Sequence, residues 1–243
     1  MRPVVSLFGQ NSKGERLLTH WRAWQHAQGL SNRTITEREY TLKHLATHAE
    51  TALHEIRPEH VIAYCGRPGL SPSARATYHA TFRAFYQWAT KLGHVAPDPT
   101  ANTPRPKRSK STPRPYPSKR ISALLAVANR RRTRAMIILA TYAGMRAHEI
   151  AKVHGSDIDI IGETITITGK GGKTALIPAH PVIVDLAKTM PTGYWFPAYN
   201  GAPHIGSKAV SKAISDAMKR DGVEGTAHQL RHYYATELLE HGV

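Results

Sequence analysis

The last helical pattern of the chain opens with the stretch HQLRH at residues 228–232. His228 and Arg231 are three residues apart, so they lie on one face of a helix and both can reach one small anionic group. Thr226 is suited to cap this helix and Gln229 stands where a capping-box partner is expected, which places the pair in the first turn. Free N–H groups and the positive end of the helix dipole favour a phosphate there. The stretch therefore indicates half of a phosphate-binding site, and a polar turn that faces water is the alternative.

Basic residues outnumber acidic ones in the 243-residue chain, with 33 Lys and Arg against 17 Asp and Glu and a net charge of +16. This excess makes a polyanion the expected partner, and nucleic acid is the commonest polyanion. No apolar run approaches the roughly 18 residues of a membrane span, and residues 1–10 have too short an apolar patch for a signal peptide. We therefore expect a cytoplasmic protein without membrane contact. Cys65 is the only cysteine, which excludes an internal disulfide and a Cys-based zinc site.

Helical spacing recurs in the first ninety residues and predicts four helices that form a small bundle. The first ends at Gly29, the second follows a cap at residue 31 or 32, and the third begins near Pro58. Ser71 opens the fourth helix. Its apolar stripe comprises Tyr78, Phe82, Phe85, Ala89 and Leu92. The spacing of this stripe predicts a buried face rather than a platform for stacking bases.

The composition changes between residues 96 and 119, where seven prolines alternate with basic residues. Such a composition is typical of an extended, self-repelling linker with polyproline character. No acidic residue occurs from Pro99 through His148, and an extended basic strap is suited to lie along a phosphate backbone. The alternative is a charge run that is merely solvated. The candidate DNA contacts in this stretch are Arg105, Lys107, Arg108, Lys110 and Arg114.

The second half of the chain combines helical patterns with one β-hairpin. Residues 164–168 alternate and are β-branched, residues 169–173 form a glycine-rich turn, and residues 174–177 return as a second strand. The turn bears two lysines, of which Lys173 is a candidate DNA contact. A break at Gly144 precedes a new helix at residue 146. The other helical patterns span residues 121–127, 136–140, 181–190, 207–220 and 227–241.

Four residues form an ordered series of cations and proton donors, namely Arg146, Lys170, His228 and Arg231. Two guanidinium groups can hold the non-bridging oxygens of one phosphodiester and stabilise the extra charge of a pentacoordinate transition state. A lysine on a hairpin tip can protonate a leaving 5′ oxygen, and a histidine can hydrogen-bond the phosphoryl group or handle the nucleophile's proton. This chemistry needs no metal ion or ATP, so we expect neither a cofactor nor a metal site.

Three motifs carry a family resemblance. The chain contains TYAGMRAHEI at residues 141–150, followed by SDI at residues 156–158, then GKGGKTALIP at residues 169–178, and HQLRH at residues 228–232. These resemble, in order, the first arginine box, the lysine hairpin and the second box of the tyrosine recombinases, the phage-integrase and Xer type of site-specific recombinase. Each motif alone is modest in specificity, but in this order, after a helical domain and a basic linker, they are highly specific.

The resemblance covers nearly the whole chain and implies its organisation. The expected fold is mostly α with a small β-hairpin or sheet, in the α+β class. It comprises a helical core-binding domain at residues 12–96, a basic proline-rich linker at 97–118 and a catalytic domain at 119–243. The family implies that the two domains close as a C-shaped clamp around double-stranded DNA with inverted core sites, where the protein forms a dimer to tetramer. It also implies a bacterial, nucleoid-associated location and a phage or mobile-element origin.

The same resemblance implies the chemistry. Arg146 and Arg231 would hold the scissile phosphate, Lys170 would act as general acid and His228 would assist. Glu149, one helical turn from Arg146, would orient it by an ion pair, or the two form an ordinary surface pair of small energetic value. The implied activity is site-specific recombination or integration, in which DNA strands are cut and rejoined through a covalent 3′-phosphotyrosyl intermediate.

The third box of the family, a His or Trp followed by the nucleophilic tyrosine, is not matched. It is expected well after the second arginine, whereas the sequence ends at Val243, twelve residues after Arg231. Tyr233 and Tyr234 share the helix of Arg231 and would have to swing around to attack the phosphate that it holds, so we expect them to pack. We therefore expect a C-terminal truncation and a chain that binds DNA without cleaving it. The alternative function is a catalytically inactive DNA-binding regulator built on a recombinase scaffold.

Overall fold

The computed structural model describes residues 12–107, 114–169 and 172–240. The chain divides into two compact units, Met1–Ser111 and Thr112–Val243, and each has its own hydrophobic core. Three residues singled out above, Arg108, Lys110 and Lys170, lie outside the described residues.

In its described residues, 12–107, the first unit has four α-helices, and serines or prolines mark their starts. Ser12, Ser31 and Ser71 each accept a hydrogen bond from the backbone N–H three residues later, which satisfies one of the free donors of a first helical turn. Prolines occupy the first position of the third and fourth helices, where the missing N–H costs nothing. The helices are α1 Lys13–Ala27, α2 Asn32–His48, α3 Pro58–Gly66 and α4 Pro72–Lys91.

The core of the first unit is aromatic. Phe82 and Phe85 of α4 are fully buried, and Phe85 meets Trp21 of α1 edge to face with ring centroids 5.2 Å apart. Burying each such side chain stabilises the fold by about 1.5–3 kcal/mol. The prediction that the α4 stripe is a buried face is confirmed for these positions. Leu92, which follows the last helical residue, is 48% exposed instead.

Residues 97–103 form turns that pack on the first unit, whereas their composition suggested an extended linker. Asp98 accepts hydrogen bonds from the backbone N–H and the hydroxyl of Thr100, both at 2.7 Å. The hydroxyl of Thr103 lies 2.8 Å from Nε2 of the buried His79 on α4. These side chains offer the backbone local partners that proline content alone does not reveal. Among the described residues of the predicted linker, the turns end at residue 103, and residues 104–107 have no regular secondary structure.

The second unit is built around α6, which packs against α8, α9 and α10. Ile137, Leu139 and Ala140 of α6 are fully buried and meet Ile214 of α9 and Leu230 of α10 in one core. The helices are α5 Ile121–Val127, α6 Arg131–Tyr142, α7 Ala147–Ile150, α8 Pro181–Ala187, α9 Ser207–Arg220 and α10 Ala227–Glu240.

A three-stranded antiparallel sheet completes the second unit. Its strands, in the order β1–β2–β3, are Ile158–Asp159, Thr164–Thr168 and Thr174–Pro178. Ile165 of β2 is fully buried and pairs with Ile158 on one side and Ile177 on the other, so the sheet turns an apolar row toward the core. The predicted hairpin and the α+β class are confirmed. In the described ranges, no helix has both the length and the apolar character needed to cross a membrane.

Candidate active site

Three of the four predicted catalytic residues line one cleft of about 290 Å³ in the second unit. Arg146 stands at the N-cap of α7, and His228 and Arg231 stand in the first turns of α10. Ser211, in the second turn of α9, also lines the cleft. The fold thus brings together residues that are more than eighty positions apart in sequence.

Gly144 connects the two arginines through its backbone. Its φ of +58° lies in the left-handed region, which glycine adopts at no steric cost. The guanidinium of Arg231 donates a hydrogen bond from Nη1 to the Gly144 carbonyl oxygen. The ring of Tyr234 lies directly on the Gly144 α-carbon, where a Cβ atom would clash with it. The turn before Arg146 is therefore held by two residues of α10.

Glu149 is a buried carboxylate behind Arg146, with only 3% of its side chain exposed. It accepts a 2.6 Å hydrogen bond from the Arg146 backbone N–H and a 2.9 Å bond from Nη1 of the same residue. Gly169, at the base of the hairpin turn, lies beside this carboxylate: a Cβ atom at that position would be 3.6 Å from Oε1 of Glu149. The ion pair is therefore not an ordinary surface pair, because its acidic partner is buried and bonded twice.

The electrostatics of the cleft favour a neutral histidine beside charged arginines. His228 is exposed at the cleft mouth, yet partial burial lowers the pKa of its imidazole, and the neighbouring His232 lowers it further. The two imidazole centroids are 4.2 Å apart. Arg231 and Arg146 lower the same pKa. Because the ordinary histidine pKa is about 6.5, His228 is neutral near pH 7 and can accept a proton.

Arg231 is half-buried, and burial followed by repulsion from Arg146 lowers the pKa of its guanidinium. Arginine is not deprotonated in proteins, so Arg231 remains charged. Two guanidinium groups that repel each other in one cleft gain from an anion placed between them. The arrangement is therefore suited to a phosphate with a charge that grows in the transition state.

The first turn of α10 shows half of the predicted capping box. The side-chain Oε1 of Gln229 accepts a 3.0 Å hydrogen bond from the Thr226 backbone N–H. The backbone carbonyl of Gln229 accepts a further bond of 3.1 Å from the Tyr116 N–H. No local sequence signal indicated Tyr116, because it lies more than a hundred residues before this turn.

Tyr233 and Tyr234 both pack, as predicted. Tyr234 covers Gly144, and Tyr233 lies against the core of the second unit. Burial raises the pKa of the Tyr233 phenol, and the nearby Glu237 raises it further. The environment of Tyr233 therefore does not favour a phenolate nucleophile.

The candidate DNA contacts outside the cleft lie on the surface where they are described. Arg105 and Lys107 of the first unit are exposed, as are Arg114 and Lys173 of the second. Across residues 12–107, 114–169 and 172–240, no group of three His, Cys, Asp or Glu side chains is arranged to hold a metal ion.

The chain is similar to known site-specific recombinases over most of its length. The phage integrase family model matches residues 117–243, more than half of the chain. Tyrosine recombinase XerD of Staphylococcus saprophyticus is 28% identical over 244 residues, which cover 90% of this chain and 82% of that protein. The solved integrase from mycobacterium phage Brujita is 39% identical with a TM-score of 0.53, covering 96% of this chain and 81% of that one. A lambda integrase dimer bound to a COC' core site has a TM-score of 0.75 at 18% identity, covering 94% of this chain and 90% of that one.

A helical unit followed by an α+β unit with two arginines and a histidine in one cleft defines the class of tyrosine recombinases. The chain belongs to the phage integrase family.

Proposed function

We propose that this protein is a site-specific recombinase or integrase that cuts and rejoins strands of duplex DNA through a covalent 3′-phosphotyrosyl intermediate. The observation that carries the proposal is the cleft in which Arg146, His228 and Arg231 meet, with the buried carboxylate of Glu149 behind Arg146. Membership of the phage integrase family supports the same reaction.

In this reaction the guanidinium groups of Arg146 and Arg231 hold the non-bridging oxygens of the scissile phosphate by forked hydrogen bonds. One N–H of Arg231 is bonded to the Gly144 carbonyl, which leaves its other N–H groups for the phosphate. The pair stabilises the charge added in the pentacoordinate transition state. The neutral imidazole of His228 hydrogen-bonds the phosphoryl group or takes the nucleophile's proton, and Lys170 protonates the leaving 5′ oxygen.

The partner is double-stranded DNA with inverted core sites, on which the protein assembles as a dimer to tetramer. The first unit acts as the core-binding domain and the second as the catalytic domain. Solved lambda integrase assemblies, a dimer on a COC' core site and a tetramer on a Holliday junction, support this assembly. The protein acts in the bacterial cytoplasm.

A suicide DNA substrate is expected to trap a covalent adduct with protein expressed from its complete gene. Tyr233→Phe and Tyr234→Phe should form the adduct as wild type does, because both rings serve packing. The measurement is the fraction of protein–DNA adduct on a denaturing gel, followed by peptide mapping of the linked tyrosine. Failure of the wild-type protein to form an adduct on its own site would refute the recombinase proposal, and loss of the adduct in Tyr234→Phe would make Tyr234 the nucleophile.

DNA binding is expected to weaken about a thousandfold or more between about 50 and 200 mM salt if six or more phosphates are contacted. Arg105→Ala, Lys107→Ala and Arg114→Ala should each reduce the slope of log affinity against log salt by about one. Lys188→Ala is the matched control and should leave the slope unchanged. Lys188 is exposed, but its ammonium is paired at 2.7 Å with the carboxylate of Asp185 on α8. A salt-independent affinity would exclude phosphate contacts as the main source of binding.

The comparisons do not favour the alternative of a catalytically inactive DNA-binding regulator. Binding alone does not require two arginines, a neutral histidine and a buried carboxylate in one cleft. Adduct formation separates the two functions, because a regulator forms none.

A further inference from the structure

Tyr116 lies in the short sequence Pro115-Tyr116-Pro117, which restricts its backbone. Each proline fixes its own φ and lacks an N–H, and the residue before a proline is driven to extended geometry. Tyr116 therefore has a preset extended backbone and provides the one N–H donor of the three residues. Its side chain is 1% exposed, so this segment is anchored within the second unit.

The phenol of Tyr116 is bonded to the end of α9. Its hydroxyl donates to Oδ2 of Asp221, which caps α9 and has only 4% of its side chain exposed. Arg120 completes the group, because its Nε donates to the same carboxylate oxygen at 2.9 Å and its Nη2 to the Asp221 carbonyl. The guanidinium and the phenol hold the pKa of the Asp221 carboxyl below its usual range, so the acceptor stays charged.

The backbone of Tyr116 is bonded to the start of α10. Its N–H donates to the Gln229 carbonyl at 3.1 Å, and the Gln229 side chain accepts from the Thr226 N–H at 3.0 Å. Gln229 lies between His228 and Arg231 in sequence, so fixing it fixes the turn from which both side chains project. Tyr116 thus bridges the loop between α9 and α10 through one bond at each end.

We propose that Tyr116 is a positioning residue for the reaction. It holds the first turn of α10 in place, so that the side chains of His228 and Arg231 reach the scissile phosphate in the geometry that the reaction requires. This inference rests on the proposed recombinase function. Its physical basis is that catalytic groups lose rate steeply when they are displaced by about 1 Å, whereas phosphate contacts spread over a duplex retain affinity.

The test compares Tyr116→Phe with Tyr86→Phe. The first variant keeps the ring and the N–H bond but removes the hydroxyl bond to Asp221. The control removes an equally buried tyrosine hydroxyl, which donates to the Leu53 carbonyl at 2.9 Å in the other unit. Thermal unfolding of both variants establishes that each folds and records its loss of stability.

In protein expressed from its complete gene, Tyr116→Phe is expected to lower the single-turnover cleavage rate at saturating protein about tenfold, with DNA affinity changed less than about threefold. Tyr86→Phe should leave both values unchanged. The pKa of His228, followed by its imidazole NMR signals in the chain without DNA, should rise toward the ordinary value in Tyr116→Phe, because a looser turn hydrates the ring. It should stay constant in the control.

An unchanged cleavage rate and unchanged His228 titration in Tyr116→Phe would overturn the assignment, as would an equal loss of rate in Tyr86→Phe. If wild-type protein expressed from its complete gene cleaves no DNA, the proposed function fails, and the His228 titration alone decides whether Tyr116 positions this turn.

Discussion

In protein expressed from its complete gene, Arg231→Ala is expected to lower the single-turnover cleavage rate about a thousandfold while DNA affinity falls less than about tenfold. The guanidinium of Arg231 is half-buried and repelled by Arg146, so it gains most when the phosphate acquires extra charge. Its contribution to ground-state binding is one phosphate contact among many. The measurement pairs rapid-quench cleavage of a suicide substrate with equilibrium binding at fixed salt.

Arg132→Ala is the matched control for Arg231→Ala. Arg132 also lies in the second unit and donates to a backbone carbonyl, that of Pro197 at 2.9 Å, but it does not line the cleft. Its cleavage rate should remain that of wild type. Arg231→Lys should recover little, because one ammonium cannot bond both the Gly144 carbonyl and a phosphate in the forked geometry. A collapse of DNA binding together with cleavage in Arg231→Ala would make the residue chiefly structural.

Gly144→Ala is expected to lower the free energy of unfolding by about 2–5 kcal/mol and the cleavage rate about a hundredfold. The left-handed φ of +58° costs about 1–2 kcal/mol for a residue with a Cβ. The new methyl group would also lie 2.7 Å from Cε1 of Tyr234, and such overpacking typically costs about 1–3 kcal/mol. Displacing the ring or the turn moves the carbonyl that holds Arg231, and misplacement on this scale costs rate steeply. Urea unfolding and single-turnover cleavage measure the two effects.

Gly201→Ala separates backbone strain from steric contact. Gly201 has a φ of +81° in the second unit, but a Cβ there meets no described atom within 4 Å. The free energy of unfolding of this control should fall by about 1–2 kcal/mol, the cost of the left-handed φ alone, and its cleavage rate should stay that of wild type. Tyr234→Ala added to Gly144→Ala should recover part of the lost stability. If Gly144→Ala and Gly201→Ala lowered the free energy of unfolding equally, the contact with Tyr234 would contribute nothing to the cost of the Gly144 substitution.

Much of the fold follows from local sequence patterns. The predicted span of α9, residues 207–220, matches the structure, and the hairpin strands at 164–168 and 174–178 differ from the prediction by one residue. Helical periodicity and β-branched alternation are local properties, so they are readable without tertiary information. The two-residue strand β1 escaped prediction because it is too short to show a period.

The sequence by itself predicted most of the order of the elements and the two-part division, and it singled out Arg146, Lys170, His228 and Arg231 as the proposed chemical series. Their types and spacing on helix starts and on a hairpin turn suffice for that inference. Arg146, His228 and Arg231 meet only because α9 and α10 pack around α6 and α7.

The supporting contacts of this site were decided only by the tertiary structure. Arg231 bonds to Gly144 across 87 residues, and Tyr116 bonds to Asp221 across 105. Such partners depend on how α6, α9 and α10 pack together, and no periodic pattern along the chain encodes that packing. The sequence therefore predicted which residues are suited to bind a phosphate. The packing of segments distant in sequence determines which contacts position those residues.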